Sequence, residues 1–142
     1  MPGSRERRAK RPEGITSIPN VVIDSPAFAS LSAPEVALLL QLARRHTPRR
    51  NGEIALDCRR AAKLCRCSRA TVLKAFAALV ERGFITLVKD ENYIQGKARE
   101  FALTFEMVNG RQPTDLWMGW EPGAPVARLP PRRPRDRTKS ST

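Results

Sequence analysis

The stretch Asp57 to Gly83, DCRRAAKLCRCSRATVLKAFAALVERG, constrains this chain more than any other. It reads as two helices joined by a tight turn. Asp57 is placed to cap a first helix over about Cys58 to Cys65, because a carboxylate accepts hydrogen bonds from the free amides of a first turn. Ser68 is placed to cap a second helix that runs to about Arg82, and Gly83 stands where a helix end favours a left-handed residue. In the second helix Val72, Ala75, Phe76 and Leu79 recur at helical spacing, so their face is expected to be buried. The opposite face carries Arg69, Ala70, Leu73, Lys74, Ala77 and Ala78, all basic or small apart from Leu73. Such a face suits close approach to the floor of a DNA major groove.

Charge separates this stretch from its surroundings. Residues 57–74 hold six basic side chains (Arg59, Arg60, Lys63, Arg66, Arg69, Lys74) and one acid, a net of +5. Residues 15–56 and 75–120 together hold nine basic and nine acidic side chains, a net of zero. The excess charge of the folded part therefore falls in one segment, where a solvated face would mix both signs. The whole chain of 142 residues has a formal net charge of +12. That balance points to a polyanionic partner, and double-stranded DNA is the one expected.

The run Ala62-x-x-x-Arg66-x-Ser68-x-x-Thr71-Val72 resembles the helix-turn-helix pattern of winged-helix transcription regulators, in which Ala-x-x-x-Gly-x-Ser-x-x-Thr-Val is common. Arg66 departs from that pattern, standing where it has the turn glycine. A positive φ there would cost on the order of 1 kcal/mol relative to glycine, so two outcomes are open: a relaxed turn, or an arginine kept there to reach a phosphate. The segments IDSPAFASLSAPEVALLLQLARR, NGEIALDCRRAAKLC and SRATVLKAFAALVERGFI are similar to small bacterial helix-turn-helix proteins frequent on plasmids, prophages and integrative elements. They are also similar in architecture to the DNA-binding domains of some plasmid replication initiators. The resemblance covers about residues 18–120, including Pro-Thr-Asp-Leu-Trp at 113–117. It implies an α+β winged helix-turn-helix fold: a three-helix core with a small antiparallel sheet and wing.

The flanking sequence fits this plan. Residues 1–14 are polar, with five basic groups and two acids, and are expected to form a disordered basic arm. The domain is expected over 15–120. Asp24 or Ser25 is placed to cap a turn over Pro26 to Ala29. Ser32-Ala33-Pro34-Glu35 is a capping box for a helix to about Arg45, with Val36, Leu39, Leu40 and Ala43 as its core stripe, widened by Leu38 and Leu42. The basic end of that helix complements its dipole. Asn51-Gly52 is a turn signal and Glu53 to Leu56 a short strand. Phe84 to Lys89 and Arg99 to Phe105 read as two strands around a polar loop, with Phe101, Leu103 and Phe105 inward and Ala102 and Thr104 outward. Thr114 is placed to cap a last short helix over Asp115 to Trp120, and Leu116, Trp117 and Trp120 make that helix either a core element or a homodimer contact. From Glu121 the chain is rich in proline and arginine, and 121–142 is expected to be a disordered tail that adds salt-sensitive affinity.

Within this reading Ser68 and Thr71 hold phosphates, Arg69 and Lys74 reach base edges, and Ala70 and Leu73 lie against the groove floor. Arg59, Arg60 and Lys63 grip the backbone, Arg66 joins them from the turn, and Lys89, Lys97 and Arg99 touch it from the wing. The expected role is sequence-specific DNA binding as a transcriptional regulator. Two other roles are compatible with the same residues: a replication or recombination accessory factor of a mobile element, and a protein-interaction module anchored by Trp117 and Trp120.

Other chemistries find little footing. Cys58, Cys65 and Cys67 with His46 lack zinc-ribbon spacing, so no metal and no cofactor is expected. The one histidine has no serine or carboxylate placed to suggest a triad, there is no phosphate-cradling glycine loop, and the acids are not clustered; no catalytic residue is assigned. No apolar run approaches the ~18 residues of a membrane span, and a cytoplasmic, nucleoid-associated protein is expected.

Overall fold

The computed structural model describes residues 13–47, 49, 51–92 and 94–132. The arm expected over 1–14 lies almost wholly outside them, as do residues 133–142. The described chain is α+β, with five helices and a three-stranded antiparallel sheet.

Local chemistry sets each helix. Pro19 precedes α1 (Asn20–Ile23), a single turn that buries only Val22 and that the sequence did not suggest. Of the two candidate caps for α2 (Pro26–Ala29) the chain uses Ser25, whose Oγ accepts from Phe28 N at 3.1 Å and donates to the Val22 carbonyl at 2.6 Å. The capping box opens α3 (Ala33–Arg44), with Ser32 N donating to Glu35 Oε1 at 3.0 Å. The buried face of α3 is Leu38, Leu39, Leu42 and Ala43, while Leu40 is exposed and Val36 half-buried. The core stripe is thus rotated from the expected one. The seven apolar side chains from Val36 to Ala43 exceed what one helix face holds, and packing chooses among them.

The two central helices form where the caps place them. Asp57 Oδ1 accepts from Arg60 N at 2.8 Å to start α4 (Cys58–Cys65). Ser68 Oγ accepts from Thr71 N at 3.1 Å to start α5 (Arg69–Glu81). Val72, Ala75, Phe76 and Leu79 are buried as the periodicity required, and Phe76 stacks on Phe101 with centroids 5.3 Å apart. Ala78, expected on the open face, is buried too. At the end of α5, Gly83 takes φ +80°, and Phe84 N and Gly83 N donate to the Leu79 and Val80 carbonyls at 3.0 Å each, closing the helix.

The sheet runs in the order β1-β3-β2. Strand β1 (Ile54–Ala55) is only two residues long and pairs with β3 (Glu100–Leu103), Ile54 facing Phe101. Strand β2 (Ile85–Lys89) pairs with the other edge of β3, with a break in register between Leu87 and Lys89. Phe101, Leu103 and Phe105 point into the core as expected, but Ala102 and Thr104 are buried as well. The outward face of this strand end is covered: Thr104 Oγ1 donates to the Gly83 carbonyl at 2.6 Å and the Thr104 carbonyl accepts from Asp115 N at 2.9 Å.

Beyond the sheet two expectations change. Residues Leu116–Gly119 form a 3-10 turn rather than an α-helix, entered through Asp115 in the left-handed region at φ 46° rather than through a Thr114 cap. Trp117 is a core residue at 5% exposure, its indole N–H held by Asp115 Oδ1 at 3.1 Å, and it is not free to form a dimer contact. Trp120 lies half-buried beneath the Arg82 guanidinium. Nor is the chain disordered over 121–132. Val126 N donates to the Glu81 carbonyl at 2.9 Å, Ala127 and Leu129 pack on the core, and the Pro130 and Pro131 carbonyls accept from Arg99. Proline suits such a strap, because it has no N–H to leave unpaired and its φ is already fixed. No helix among the described residues is long and apolar enough to cross a membrane.

Candidate nucleic-acid interface

The fold turns the basic segment outward. Arg59, Arg60, Lys63, Arg66, Ser68, Arg69, Ala70 and Lys74 are all exposed, on α4, the connecting turn and the first turns of α5. Asp57, the one acid of the segment, faces the Arg60 amide as a cap. Among the described residues, ion pairs lie away from this segment, at Arg99–Asp90 and Arg132–Glu91. The net charge therefore stands as a solvent-facing surface rather than as salt bridges.

The turn between α4 and α5 takes the strained form that the sequence raised. Arg66 has φ 55° and ψ 48°, and Cys67 N reaches back to the Ala62 carbonyl at 3.1 Å. That closure needs a left-handed residue, and arginine bears the steric cost that glycine avoids. Arg66→Gly is expected to raise the unfolding free energy by about 1 kcal/mol, read as a shift of the urea midpoint. An unchanged or lower midpoint would mean that the arginine side chain itself stabilises the turn.

The start of α5 offers donors. Its first amides have no partner within the helix, apart from the Thr71 N–H that Ser68 takes. Ser68 also donates its hydroxyl to Thr71 Oγ1 at 2.9 Å. Of the two hydroxyls expected to hold phosphates, Ser68 has its proton engaged, while Thr71, half-buried, accepts and keeps its own proton to give. Leu73 is 37% exposed, and it is not simply a groove-floor residue. Its side chain lines a cavity of about 50 Å3 shared with Cys58 of α4, with Glu91, Ala98 and Arg99 of the β2–β3 hairpin, and with Leu129 and Arg132 of the strap. The start of α4, the middle of α5, the hairpin base and the end of the strap thus meet at one place.

The hairpin contributes unequally. Lys89 and Lys97 are exposed. Arg99, expected to touch a DNA backbone, has its side chain 9% exposed, paired with Asp90 Oδ1 at 3.0 Å and donating through Nη2 to the Pro130 carbonyl at 2.7 Å. Its alternation with Ala98 and Glu100 gave no sign of this, because the acceptors lie 31 and 32 residues further on.

A second feature escaped the sequence reading. Arg45, at the end of α3, feels the charge of Arg60 on α4 as well as that of its neighbour Arg44. Burial first, and then the Arg60 and Arg44 guanidiniums, pull Arg45 below the usual arginine range. Arg45 Nη1 donates to the Gln41 carbonyl at 2.9 Å and to its Oε1 at 3.2 Å, which fixes the guanidinium in place. The run of arginines ending α3 was the available signal; that α3 packs across α4 was not legible.

The cysteines are unpaired. Burial pushes the Cys58 thiol up, against the pull of Arg132 and Arg69, and pushes Cys65 up as well, aided by Cys67. Among the described residues no three His, Cys, Asp or Glu side chains gather into a metal site. Comparison with family models, with curated proteins and with solved structures finds no match to the chain.

Proposed function

We propose that the chain is a sequence-specific double-stranded DNA-binding protein of winged helix-turn-helix build, acting as a transcriptional regulator on the nucleoid. In this reading α5 is the recognition helix, α4 crosses the phosphate backbone above it, and the β2–β3 hairpin is the wing. The observation that carries the proposal is the exposed, acid-poor surface formed by Arg59, Arg60, Lys63, Arg66, Arg69 and Lys74 around the capped start of α5. Clustering like charges costs free energy that a polyanion offsets, and free amides at a helix start suit phosphate oxygens. The sheet order β1-β3-β2 and the hairpin directly after α5 are compatible with the winged layout. Arg69, on the first turn of α5, is assigned a bidentate contact to guanine, with Lys74 one and a half turns on.

Footprinting across the genome of the native host tests the role. Sites at promoters would support regulation, whereas sites confined to an origin or attachment site would replace it with a replication or recombination function. Base readout has its own test. Arg69→Ala is expected to cost about 1–3 kcal/mol at a preferred site and to relax the preference at one base pair. Equal loss on every sequence would reduce Arg69 to a phosphate contact.

A further inference from the structure

The hairpin between β2 and β3 looks, in sequence, nearly neutral: Lys89, Lys97 and Arg99 stand against Asp90 and Glu91. Its three-dimensional surroundings change that balance. Asp90 is taken by Arg99, from within the hairpin, at 3.0 Å. Glu91 is taken by Arg132, from the C-terminal strap, at 3.0 Å, and the Glu91 side chain is only 4% exposed. Arg132 also sets Nη1 3.7 Å from Cys58 Sγ, which fixes it at the start of α4. Its stem follows Leu129, packed on the core, and the Pro130 and Pro131 carbonyls that Arg99 holds. The strap therefore reaches the hairpin by several contacts at once. Both hairpin acids are drawn into pairs at its base, while Lys89 and Lys97 stay exposed.

We infer that residues 126–132 are part of the DNA-binding face: Arg132 cancels Glu91, so that the hairpin beside α5 presents Lys89 and Lys97 to the phosphates as a net cation. This rests on the DNA-binding reading above and adds to it a role for a segment that composition marks as a tail. Arg132 is here a positioning and charge-cancelling residue, not a phosphate contact. An unpaired carboxylate at this place would repel a phosphate several ångströms away, and desolvation by bound DNA would strengthen the repulsion.

The inference separates from a direct contact by a charge-conserving pair of substitutions in the full chain. The probe is a mixed-sequence DNA duplex of about 30 base pairs, titrated over a range of salt. Arg132→Gln is expected to weaken binding by about three- to tenfold. Glu91→Gln alone should bind as tightly as the native chain or more so. The double variant E91Q/R132Q has the native net charge, and it should recover the native affinity to within about twofold and the native salt slope. A double variant as weak as Arg132→Gln would overturn the inference, since Arg132 would then be the contact itself. So would an Arg132→Gln chain that is folded by circular dichroism and binds as the native protein does. Should Arg132→Gln fail to fold, the comparison of E91Q/R132Q with the native chain still decides. A native chain that binds no duplex even at low salt would instead remove the DNA-binding reading, and this inference with it.

Discussion

Replacing Asn51 with alanine is expected to lower the unfolding free energy by about 3 kcal/mol, the largest loss from any single polar truncation in this domain. Asn51 is 3% exposed although it sits in a loop. Its Nδ2 donates to the carbonyls of Leu103 at 3.0 Å, Glu106 at 3.3 Å and Met107 at 3.0 Å, and its Oδ1 accepts from Leu103 N at 2.8 Å. The amide thus takes the place that a further strand residue would take beside β3, where the two-residue β1 stops short. Alanine leaves the buried Leu103 N–H and its carbonyl without partners, and each such group costs about 1–3 kcal/mol. Urea unfolding measures the loss. A change under about 1 kcal/mol would mean that water enters and replaces the amide. Asn51→Asp sharpens the test, since it keeps the acceptor and loses the donors. Its carboxylate would face three carbonyl oxygens, so its folded-state pKa would be raised. The ionisation penalty is then absent below the unfolded-state pKa, grows as the pH rises above it, and levels off once the pH has passed the folded-state pKa.

The second large effect concerns binding. Changing Arg59, Arg60, Lys63 and Arg66 together to glutamine removes four charges from exposed residues. If all four meet phosphates, the slope of log affinity against log salt falls by about 3.6. Taking the affinity at about 1 M salt as unchanged, binding at about 0.2 M weakens about 300-fold. The fold is expected to survive, because Asp57 still caps through the Arg60 backbone amide rather than its side chain. An unchanged slope would move the polyanion to another surface. Arg45 is the first alternative, since Arg60 of the same surface already acts on its charge.

What was legible in the sequence was local. Asp57, Ser68 and the Ser32–Glu35 box each act within three residues of themselves, and each caps the helix it was expected to cap. The periodicity of α5 placed its buried face correctly, and the charge count located the exposed basic surface. Apart from α1 and the 3-10 turn, which are local, the features that were missed are long-range. Asn51 reads as half of a turn signal, yet its partners lie 52 to 56 residues away. Thr104 reads as outward because strand alternation carries no information about a second layer. Arg99 reads as a free cation because its proline carbonyls belong to a stretch whose composition suggests disorder. Trp117 could be assigned to a core or an interface only once the chain around it had a place.

Gly83 carries a consequence for how such a chain can change over generations. A methyl group added there would stand 2.7 Å from the backbone of Leu116 and Trp117 and 2.8 Å from the Val126 side chain, at a φ of +80°. Two of those three neighbours are main-chain atoms, which cannot swing aside as a flexible side chain can. The end of α5, the 3-10 turn and the strap therefore close around one missing carbon atom. Inherited variation at position 83 is tied to variation at 116–117 and at 126: the three stretches must drift as a set, or not at all.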